Sequence, residues 1–533
     1  MPEVKYVCKQ WLFLLESALR MMQEDPAALY NNLLEKIRLR AGLVTLDKLI
    51  SRIKISRSVL EGDEEYRRGE ITQAINLYRS AQGLKKRTGQ RFANRLEQQK
   101  FQLKQEIIPC SDKQVPESDY FRQQNGGTVL WFLNNSLPFT KSGYTYRTHS
   151  SLKAIQSFGL SVQGITRLGY PVVIGSISSS PVSTVEGVRY HRLIPIRYPS
   201  TLAARNELAI EMLATRARDL NARILHTTTD FKNAQIVSRV ARELEVPWVY
   251  EVRGELENTW LSKVQDDERE TANRSEYYRL AQTRETEAMK AASAVVVLSE
   301  VSKANLVARG VKDSKIFVVP NAIDERDLDR DFDVSDIRIK LGLSTDSKWF
   351  GSVTSVVGYE GLDLAIQALT QLGKSWNLLI VGDGTDLPRL RNLAEELGVE
   401  NRVRFAGHQG NADIWRWYAA LDVFVIPRID AQVCRNVTPL KPLLAKALGV
   451  PTVCSDLPAL REVAGAGGLF FPPGDLSRFV QQIEQAMGNE ELTRLGKRWV
   501  KGRTWKANAS RYREIYTYLE GNGLQSCGQA KTE

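Results

Sequence analysis

The sequence predicts an α/β fold with two doubly wound parallel sheets and an N-terminal α-helical extension. Two stretches, residues 129–319 and 349–471, alternate short runs of β-forming residues with amphipathic helical patterns. Such alternation is typical of parallel sheets that are covered by helices on both faces. Residues 1–108 instead predict helices throughout, because they are rich in Leu, Glu, Lys, Arg and Gln. A chain of 533 residues is also too long for one hydrophobic core.

The clearest alternation lies in the second half of the chain. An apolar run at 378–381 predicts a buried strand, which ends in a turn at Gly382 and Gly384 where the backbone must be permissive. We expect Asp386 to cap the helix that follows. The two glycines are also consistent with a dinucleotide fingerprint, but Leu387 stands where the third glycine of that motif is required.

A basic loop precedes another predicted helix. Arg428, Arg435 and Asn436 are followed by the run Thr-Pro-Leu-Lys-Pro-Leu at 438–443, in which Lys441 lies between two prolines. Backbone donors at a helix start and cationic side chains together form an anion site that suits a diphosphate. A solvated basic loop without a ligand is the alternative interpretation.

In the first predicted sheet, three features follow strands. His226 ends one predicted strand, Glu251 and Arg253 end the next, and Gly143 lies in the loop after the first strand of this sheet. Parallel sheets bind ligands at the carboxyl ends of their strands, but a role for these particular residues is implied only by a family resemblance that other motifs of the chain carry. A histidine at a strand end is also consistent with a purely structural role, and Glu251 with Arg253 is also consistent with a local surface pair.

Composition narrows the class of protein. Five cysteines without metal-ligand spacing predict reduced thiols and a cytosolic protein, and we find neither a membrane-spanning apolar run nor a signal peptide. The net charge of +11 suits nucleic acid, an anionic membrane surface or an anionic substrate. Residues 1–110 hold 20 Lys and Arg against 13 Asp and Glu, without the aromatic and basic pattern of a nucleic-acid binder. Peripheral membrane contact is therefore more plausible than nucleic-acid binding, with a solvated helical surface as the alternative.

The helical extension contains one repeat-like segment. Ala74, Tyr78 and Ala81, after Gly69, match the second half of a tetratricopeptide-like hairpin. No second copy occurs at a fixed period, so we interpret residues 1–108 as a helical extension that is used for docking.

Several motifs together resemble one known family. They are Val381-Gly-Asp-Gly384, Val403-x-Phe405-x-Gly407, Asp422-Val-Phe-Val-Ile-Pro427, Gly449-Val-Pro-Thr-Val453 and Pro320-Asn-Ala-Ile-Asp324. With these motifs the sequence resembles family 4 glycosyltransferases of the GT-B fold, and is most similar to a subgroup whose last loop reads Thr-Pro-Leu-Lys-Pro-Leu. The resemblance implies two Rossmann-like domains that face a cleft. It also implies a retaining transferase that uses a nucleoside diphosphate sugar, a glycan or lipid-linked acceptor, and no metal or other cofactor.

The resemblance also implies roles for individual residues and segments. The expected catalytic residues are His226, Lys441 and Arg428, and the expected acceptor-side residues are Glu251 and Arg253. The expected donor-binding residues are Gly143, Gly382, Gly384, Phe405, Gly407, Arg435, Asn436, Thr438, Pro439 and Leu440. The predicted segments are a helical extension at 1–108, a linker at 109–127, an acceptor-side domain at 128–345, a nucleotide-sugar-binding domain at 346–505, a crossover helix at 506–520 and a disordered tail at 521–533.

Four positions depart from the family pattern. Ser352 and Glu360 stand where members of the family commonly place an arginine and a lysine for the diphosphate. Asn436 and Leu444 stand where two glutamates contact the donor, and a leucine cannot accept a hydrogen bond from a ribose. A catalytically degenerate protein that acts as a binding or scaffold partner is therefore the second hypothesis. A nucleotide-sugar epimerase of the same shape is a third hypothesis, which no sequence feature selects.

Overall fold

The computed structural model describes residues 6–14, 57–82, 86–109, 127–265, 267–410 and 413–521. Most of the predicted linker and the predicted tail, as well as 15–56, lie outside the described residues. The chain divides into two compact units. The first unit contains the described residues up to Val296 together with 309–315 and 515–521, and the second contains 297–308 and 316–514.

The first sheet has eight strands in the order β3-β4-β2-β1-β5-β6-β7-β8. Strand β1 pairs in parallel with β2 and β5, and only the β3–β4 pair among the described pairings is antiparallel. Because chain order reverses at β1, the topological switch point lies between β1 and β5. The strands are β1 Thr128–Leu133, β2 Val162–Thr166, β3 Val182–Val185, β4 Val188–Arg192, β5 Ala222–Thr228, β6 Trp248–Glu251, β7 Ala294–Val297 and β8 Ile316–Val318.

The helices that cover the first sheet and form the extension belong to the first unit. They are α1 Arg57–Arg68, α2 Ile71–Arg79, α3 Lys86–Lys104, α4 Gly143–Ser157, α5 Leu202–Asp219, α6 Phe231–Glu243, α7 Leu256–Leu261, α8 Arg269–Ala272 and α9 Glu276–Ala291. Helix α4 begins at Gly143 because Ser142 and Thr145 form a capping box at its N-terminus.

The helical extension packs onto the first sheet unit. Glu276, at the start of α9, accepts hydrogen bonds from the backbone nitrogen and hydroxyl of Thr72 and pairs with Lys100 at 2.7 Å. On α6, the Gln235 amide donates to the carbonyl of Gln102 at the end of α3. The helical segment over residues 6–14 is fixed through Gln10, which exchanges two hydrogen bonds with the backbone of Ser178.

The second sheet has six strands in the order β11-β10-β9-β12-β13-β14, and its described pairings are parallel. Its switch point lies between β9 and β12. One apolar cluster of this unit includes Phe424 and Leu443, and the other includes Phe350 and Val425. The strands are β9 Lys348–Val353, β10 Trp376–Val381, β11 Val403–Gly407, β12 Val423–Ile426, β13 Thr452–Ser455 and β14 Gly468–Phe471.

The helices that follow in the chain are shorter near the predicted site. They are α10 Glu300–Ala308, α11 Val334–Leu341, α12 Leu362–Ala368, α13 Leu387–Glu396, α14 Ile414–Ala419, α15 Gln432–Asn436, α16 Lys441–Ala447, α17 Pro458–Ala464, α18 Leu476–Ala486, α19 Glu490–Lys501 and α20 Trp505–Gly521. The predicted Asp386 cap of α13 is wrong, because the Asp386 side chain makes no capping bond and instead holds Arg389 at 2.7 and 2.8 Å.

In the described part of the chain, no helix combines the length and the apolar character that crossing a membrane requires.

Candidate functional site

A cavity of about 290 Å³ opens at the switch point of the first sheet. Its lining includes Asn134 after β1, Thr228 at the end of β5, Arg253 after β6, and Ser142 at the N-terminus of α4. The carboxyl ends of these strands meet here, as expected for a ligand site in a parallel sheet. Gly143 is the first residue of α4, and no atom lies within 4 Å of the position where its Cβ would stand.

A buried cluster of charged side chains supports this cavity. The Glu251 carboxylate accepts hydrogen bonds from Arg147 Nε and Arg253 Nε, both at 3.0 Å. Burial alone would raise the pKa of Glu251, but the charges of Arg253 and Arg147 hold it well below its ordinary value. Arg253 also donates to the Tyr144 carbonyl and the Thr148 hydroxyl, and within the described residues its Nη2 has no hydrogen-bond partner.

His226 belongs to the same cluster but lies outside the cavity lining. Its imidazole is fully buried and stacks on Trp131 with ring centroids 3.7 Å apart. Nε2 lies 3.2 Å from a Glu251 oxygen, and Nδ1 lies 3.0 Å from the Tyr516 hydroxyl. Burial lowers the pKa of His226 although the Glu251 carboxylate acts in the opposite direction. The structure thus brings His226, Glu251 and Arg253 together, and it gives His226 the environment of a positioning residue rather than one that touches an acceptor.

The second unit contains a buried cluster of Glu360, Arg428 and Lys441, hereafter the Glu360 cluster. Arg428 donates two hydrogen bonds to the Glu360 carboxylate, at 2.9 and 3.3 Å, and Lys441 Nζ donates a third at 2.8 Å. Lys441 also contacts the Thr354 hydroxyl. Thr354 follows β9 and Arg428 follows β12, so this cluster lies at the switch point of the second sheet.

The Glu360 cluster contains one carboxylate and two cationic side chains. Burial would raise the pKa of Glu360, but the charges of Lys441 and Arg428 lower it to about 2. Burial lowers the pKa of Lys441, while Glu360 acts to raise it. One carboxylate therefore faces two cations, and a fifth of the Lys441 side chain remains exposed. The sequence interpretation of Glu360 as a missing cation overlooked this role, because residues 360, 428 and 441 share no local motif.

The predicted glycines position the strand ends of this unit. A Cβ at Gly382 would stand 1.8 Å from the Thr354 carbonyl oxygen, and one at Gly384 would stand 2.1 Å from that of Val356. The turn after β10 can therefore approach the loop after β9 only because both residues are glycines. Gly407 ends β11 with φ of +67°, and its carbonyl accepts a hydrogen bond from Gly382. The half-buried Phe405 lies on the same strand, with Arg391 4.8 Å from its ring centroid.

Of the remaining predicted donor residues, four lie in or next to the segment that leads into α16, and one is an exposed arginine. Asn436 is buried and accepts a hydrogen bond from Asn305, and Thr438 is buried with a hydroxyl that has no partner among the described residues. Pro439 and Leu440 lead into α16. Arg435 is exposed and pairs with Asp430, so the structure does not bring it to the Glu360 cluster.

The other two departures from the family pattern are apolar or buried. Ser352 is buried within β9, and Leu444 on α16 packs against an apolar cluster of the second unit. Neither side chain carries a charge that a diphosphate could use.

Two family models match the chain. Residues 142–322 match the model described as glycosyl transferase 4-like domain, and residues 333–501 match the model described as glycosyl transferases group 1. These two segments, hereafter the 4-like domain and the group 1 domain, are thus similar to domains of glycosyltransferases. The 4-like domain holds His226, Glu251 and Arg253, and the group 1 domain holds the Glu360 cluster.

Curated relatives match parts of the chain. An exopolysaccharide phosphotransferase of Streptomyces coelicolor is 32% identical over 212 residues, which are 38% of this chain and 20% of the relative. The lipopolysaccharide core biosynthesis glycosyltransferase LpsE of Rhizobium meliloti is 35% identical over 164 residues, which are 30% of this chain and 46% of the relative. The chain thus spans less than half of the length of these relatives.

Solved structures share the fold of these two domains. Sucrose-phosphate synthase from Thermosynechococcus elongatus has a TM-score of 0.59 at 18% identity, covering 74% of this chain and 99% of that one. HepE of Anabaena in complex with UDP has a TM-score of 0.55 at 17% identity, covering 74% of this chain and 100% of that one. The predicted GT-B fold class is confirmed, and at these identities the likeness extends to the fold alone.

Proposed function

We propose that this protein is a retaining glycosyltransferase that moves a sugar from a nucleoside diphosphate sugar to a polysaccharide, lipid-linked or other glycan acceptor. In this reaction the bond from the anomeric carbon to the diphosphate oxygen breaks, a bond from that carbon to the acceptor oxygen forms, and the proton of the acceptor hydroxyl passes to the departing diphosphate. The diphosphate must then carry the negative charge that develops, and positioned cations can stabilise it without a metal.

The observation that carries this proposal is the Glu360 cluster at the switch point of the group 1 domain. Arg428 and Lys441 together exceed the charge of Glu360 by one, and Lys441 retains exposed surface. LpsE supports the same reaction class, because it is named as a glycosyltransferase of lipopolysaccharide core biosynthesis, whereas the Streptomyces relative is named as a phosphotransferase. HepE, which shares the fold, was solved with UDP and with UDP-glucose.

A donor screen tests the transferase. The purified protein is incubated with UDP-, GDP- and ADP-linked sugars together with oligosaccharide or lipid-linked acceptors, and transfer and donor hydrolysis are both measured. We expect at least one donor to be consumed. Absence of transfer and hydrolysis with every common nucleotide sugar would overturn the proposal.

The second candidate is a degenerate protein that binds a partner without turnover. Leu444 favours it, because an apolar side chain occupies a position that contacts the donor in the family. Calorimetry with UDP and GDP separates the two candidates: absence of nucleotide binding supports the scaffold, and binding followed by sugar transfer supports the enzyme.

We also propose that the protein works in the cytosol and touches the inner membrane surface through its basic extension. Surface charges are screened over about 8 Å at physiological ionic strength, so such contact should weaken as salt rises. Fractionation at low salt, with and without residues 1–108, tests this; a protein that stays in the supernatant in both forms contradicts membrane contact.

A further inference from the structure

A large cavity of the first unit lies against the helical extension. It has a volume of about 880 Å³, and one wall is formed by α3 with Arg91, Asn94, Arg95 and Gln98. The opposite wall belongs to the 4-like domain and includes residues from 200–205 and from the start of α6. Gln98 also accepts a hydrogen bond from the backbone nitrogen of Leu202 at 3.1 Å, so the two walls are joined.

Two further cavities lie between this one and the strand ends of the first sheet. A cavity of about 450 Å³ shares the lining residues Gln102, Arg205 and Lys232 with the 880 Å³ cavity. It also shares Asn134 and Asn135 with the cavity at the β1–β5 switch point. The three cavities are therefore neighbours in a row, hereafter the α3 groove, which extends from the helical extension to the carboxyl ends of β1 and β5.

The lining of the α3 groove is cationic beside the helical extension, and two carboxylates, Asp230 and Glu255, lie towards the switch point. Four cationic side chains and no carboxylate line the 880 Å³ cavity, counted over the described residues. One of the four, Lys232, pairs at 3.2 Å with Asp230, which lines the 450 Å³ cavity. Several amide side chains lie between the cations, and Phe92 and Tyr277 add aromatic surface.

These groups match an acidic glycan better than other extended ligands. Amides both donate and accept hydrogen bonds, as the hydroxyl groups of a sugar require. Aromatic rings offer flat apolar surface for the faces of sugar rings, and arginines bind carboxylates and phosphates. Ligand sites of single small molecules typically occupy about 300–1,000 Å³, so this row of cavities has room for a chain of several sugars.

We propose that the α3 groove binds an acidic glycan chain and directs its end to the cavity at the β1–β5 switch point. The identification of this chain as the acceptor rests on the proposed transferase function. The helical extension then takes part in acceptor choice: α3 supplies the wall that selects a long, negatively charged glycan.

Two groove variants in the full-length chain test this. Arg91→Ala with Arg95→Ala removes two cations from the wall, and Asn94→Trp fills the groove without a change in charge. The matched control is Arg242→Ala with Arg279→Ala, because both arginines are exposed on helices of the same unit and line none of these cavities. Thermal unfolding of all variants is measured first.

The probes are short oligomers of galacturonate, mannuronate and hyaluronan, with maltoheptaose as the neutral reference, and binding is measured by calorimetry. We expect at least one acidic oligomer to bind the wild type at least about tenfold more tightly than maltoheptaose. We expect both groove variants to lose about tenfold or more in affinity for that oligomer, and the control pair to lose less than about twofold.

Three outcomes would overturn the inference. They are absence of binding by every acidic oligomer, equal affinity for maltoheptaose, and equal loss in the groove and control pairs. UDP binding by the wild type is measured alongside, so the two proposals fail separately. Binding of UDP without any acidic oligomer rejects the groove alone, and binding of an oligomer without UDP rejects the transferase while the groove stands.

Discussion

Lys441 is the residue on which the donor site depends most. It lies at the start of α16, contacts Thr354 and Glu360, and keeps a fifth of its side chain exposed. A charge-assisted contact contributes about 1.5–3 kcal/mol, so we expect Lys441→Ala to weaken UDP binding by about tenfold or more. Arg428 still neutralises Glu360 in this variant, and the fold should persist.

The measurement is calorimetric UDP titration, with Lys340→Ala as the control. Lys340 is an exposed lysine of the same unit and pairs only with Asp336 among the described residues. Equal UDP affinity in the wild type and Lys441→Ala, with unchanged unfolding, would remove Lys441 from the donor site.

Glu360 stabilises the fold, whereas Lys441 is expected to bind the donor. Removing one partner of a buried ion pair costs about 3–5 kcal/mol, so Glu360→Gln should lower the free energy of unfolding by that amount near neutral pH. The folded pKa of about 2 lies below the ordinary value of 4.5. The stabilisation is therefore fully present above about pH 4.5 and is lost as pH falls towards 2.

Denaturant unfolding of wild type and Glu360→Gln across this pH range measures the difference. The difference in unfolding free energy between the two proteins should become smaller in acid. Glu484 is exposed, so the unfolding free energy of Glu484→Gln should match that of the wild type at every pH. A constant difference between the two proteins at all pH values would show that the carboxylate charge is not what stabilises the cluster.

These two residues show what the sequence could and could not predict about the site. Lys441 and Arg428 were expected together because a proline-bounded lysine follows a basic loop. Glu360 lies 68 residues before Arg428, and only the fold brings the two together. The same holds in the first unit. His226, Glu251 and Arg253 were expected from the family resemblance, but Tyr516 lies 290 residues after His226, and only the fold brings the predicted last helix into contact with that histidine.

Helix α9 fastens the start of α6 through one buried carboxyl group. Glu285 accepts a hydrogen bond from the Phe231 backbone nitrogen at 2.9 Å and one from the Tyr250 hydroxyl at 2.6 Å. Burial, with a contribution from the charge of Asp230, raises the pKa of Glu285 to about 8. Between pH 4.5 and about 8 the folded chain therefore holds a proton that the unfolded chain has released, so this group lowers stability as pH rises.

We expect Glu285→Gln to remove this dependence, because glutamine does not titrate. Its oxygen can accept from the Phe231 backbone nitrogen while its amide NH2 donates to the Tyr250 hydroxyl. Relative to the wild type, the variant should gain on the order of 3 kcal/mol in unfolding free energy between pH 5 and 8. Urea unfolding at a series of pH values checks this, with Glu287→Gln on the same helix as control. Parallel curves for wild type and Glu285→Gln would refute the raised pKa.

The helical elements were harder to delimit than the strands. Buried strands such as β1 and β12 are short apolar runs, and their existence follows directly from hydrophobicity. The first residue of a helix depends on which of several possible hydrogen bonds its flanking side chains form. Ser142 and Thr145 form a capping box, so α4 begins at Gly143, whereas Asp386 binds Arg389 and does not cap α13. Both competitions involve bonds of similar strength, so the sequence does not decide them.

The helical extension and the first sheet form one compact unit, which no sequence pattern indicated. Helicity over residues 86–104 follows from composition, but the surface on which α3 packs depends on Gln235, Glu276 and Leu202 far along the chain. The extension was expected to dock onto a partner. The structure shows that part of its surface instead docks onto its own chain.

Glu276 offers a test of whether the extension unfolds together with the first sheet. Its carboxylate accepts from Thr72 and pairs with Lys100 at a solvent-accessible site, so Glu276→Ala should cost about 0.5–1.5 kcal/mol because water can replace the lost acceptor. Scanning calorimetry should then show a lower unfolding temperature for the first unit as a whole and no change in the second. Glu270→Ala is the control, because Glu270 is exposed and reaches only Arg274 among the described residues. A separate early transition for the extension, with the first sheet unaffected, would mean that α3 is tethered rather than integral, and the α3 groove would then lack a fixed wall.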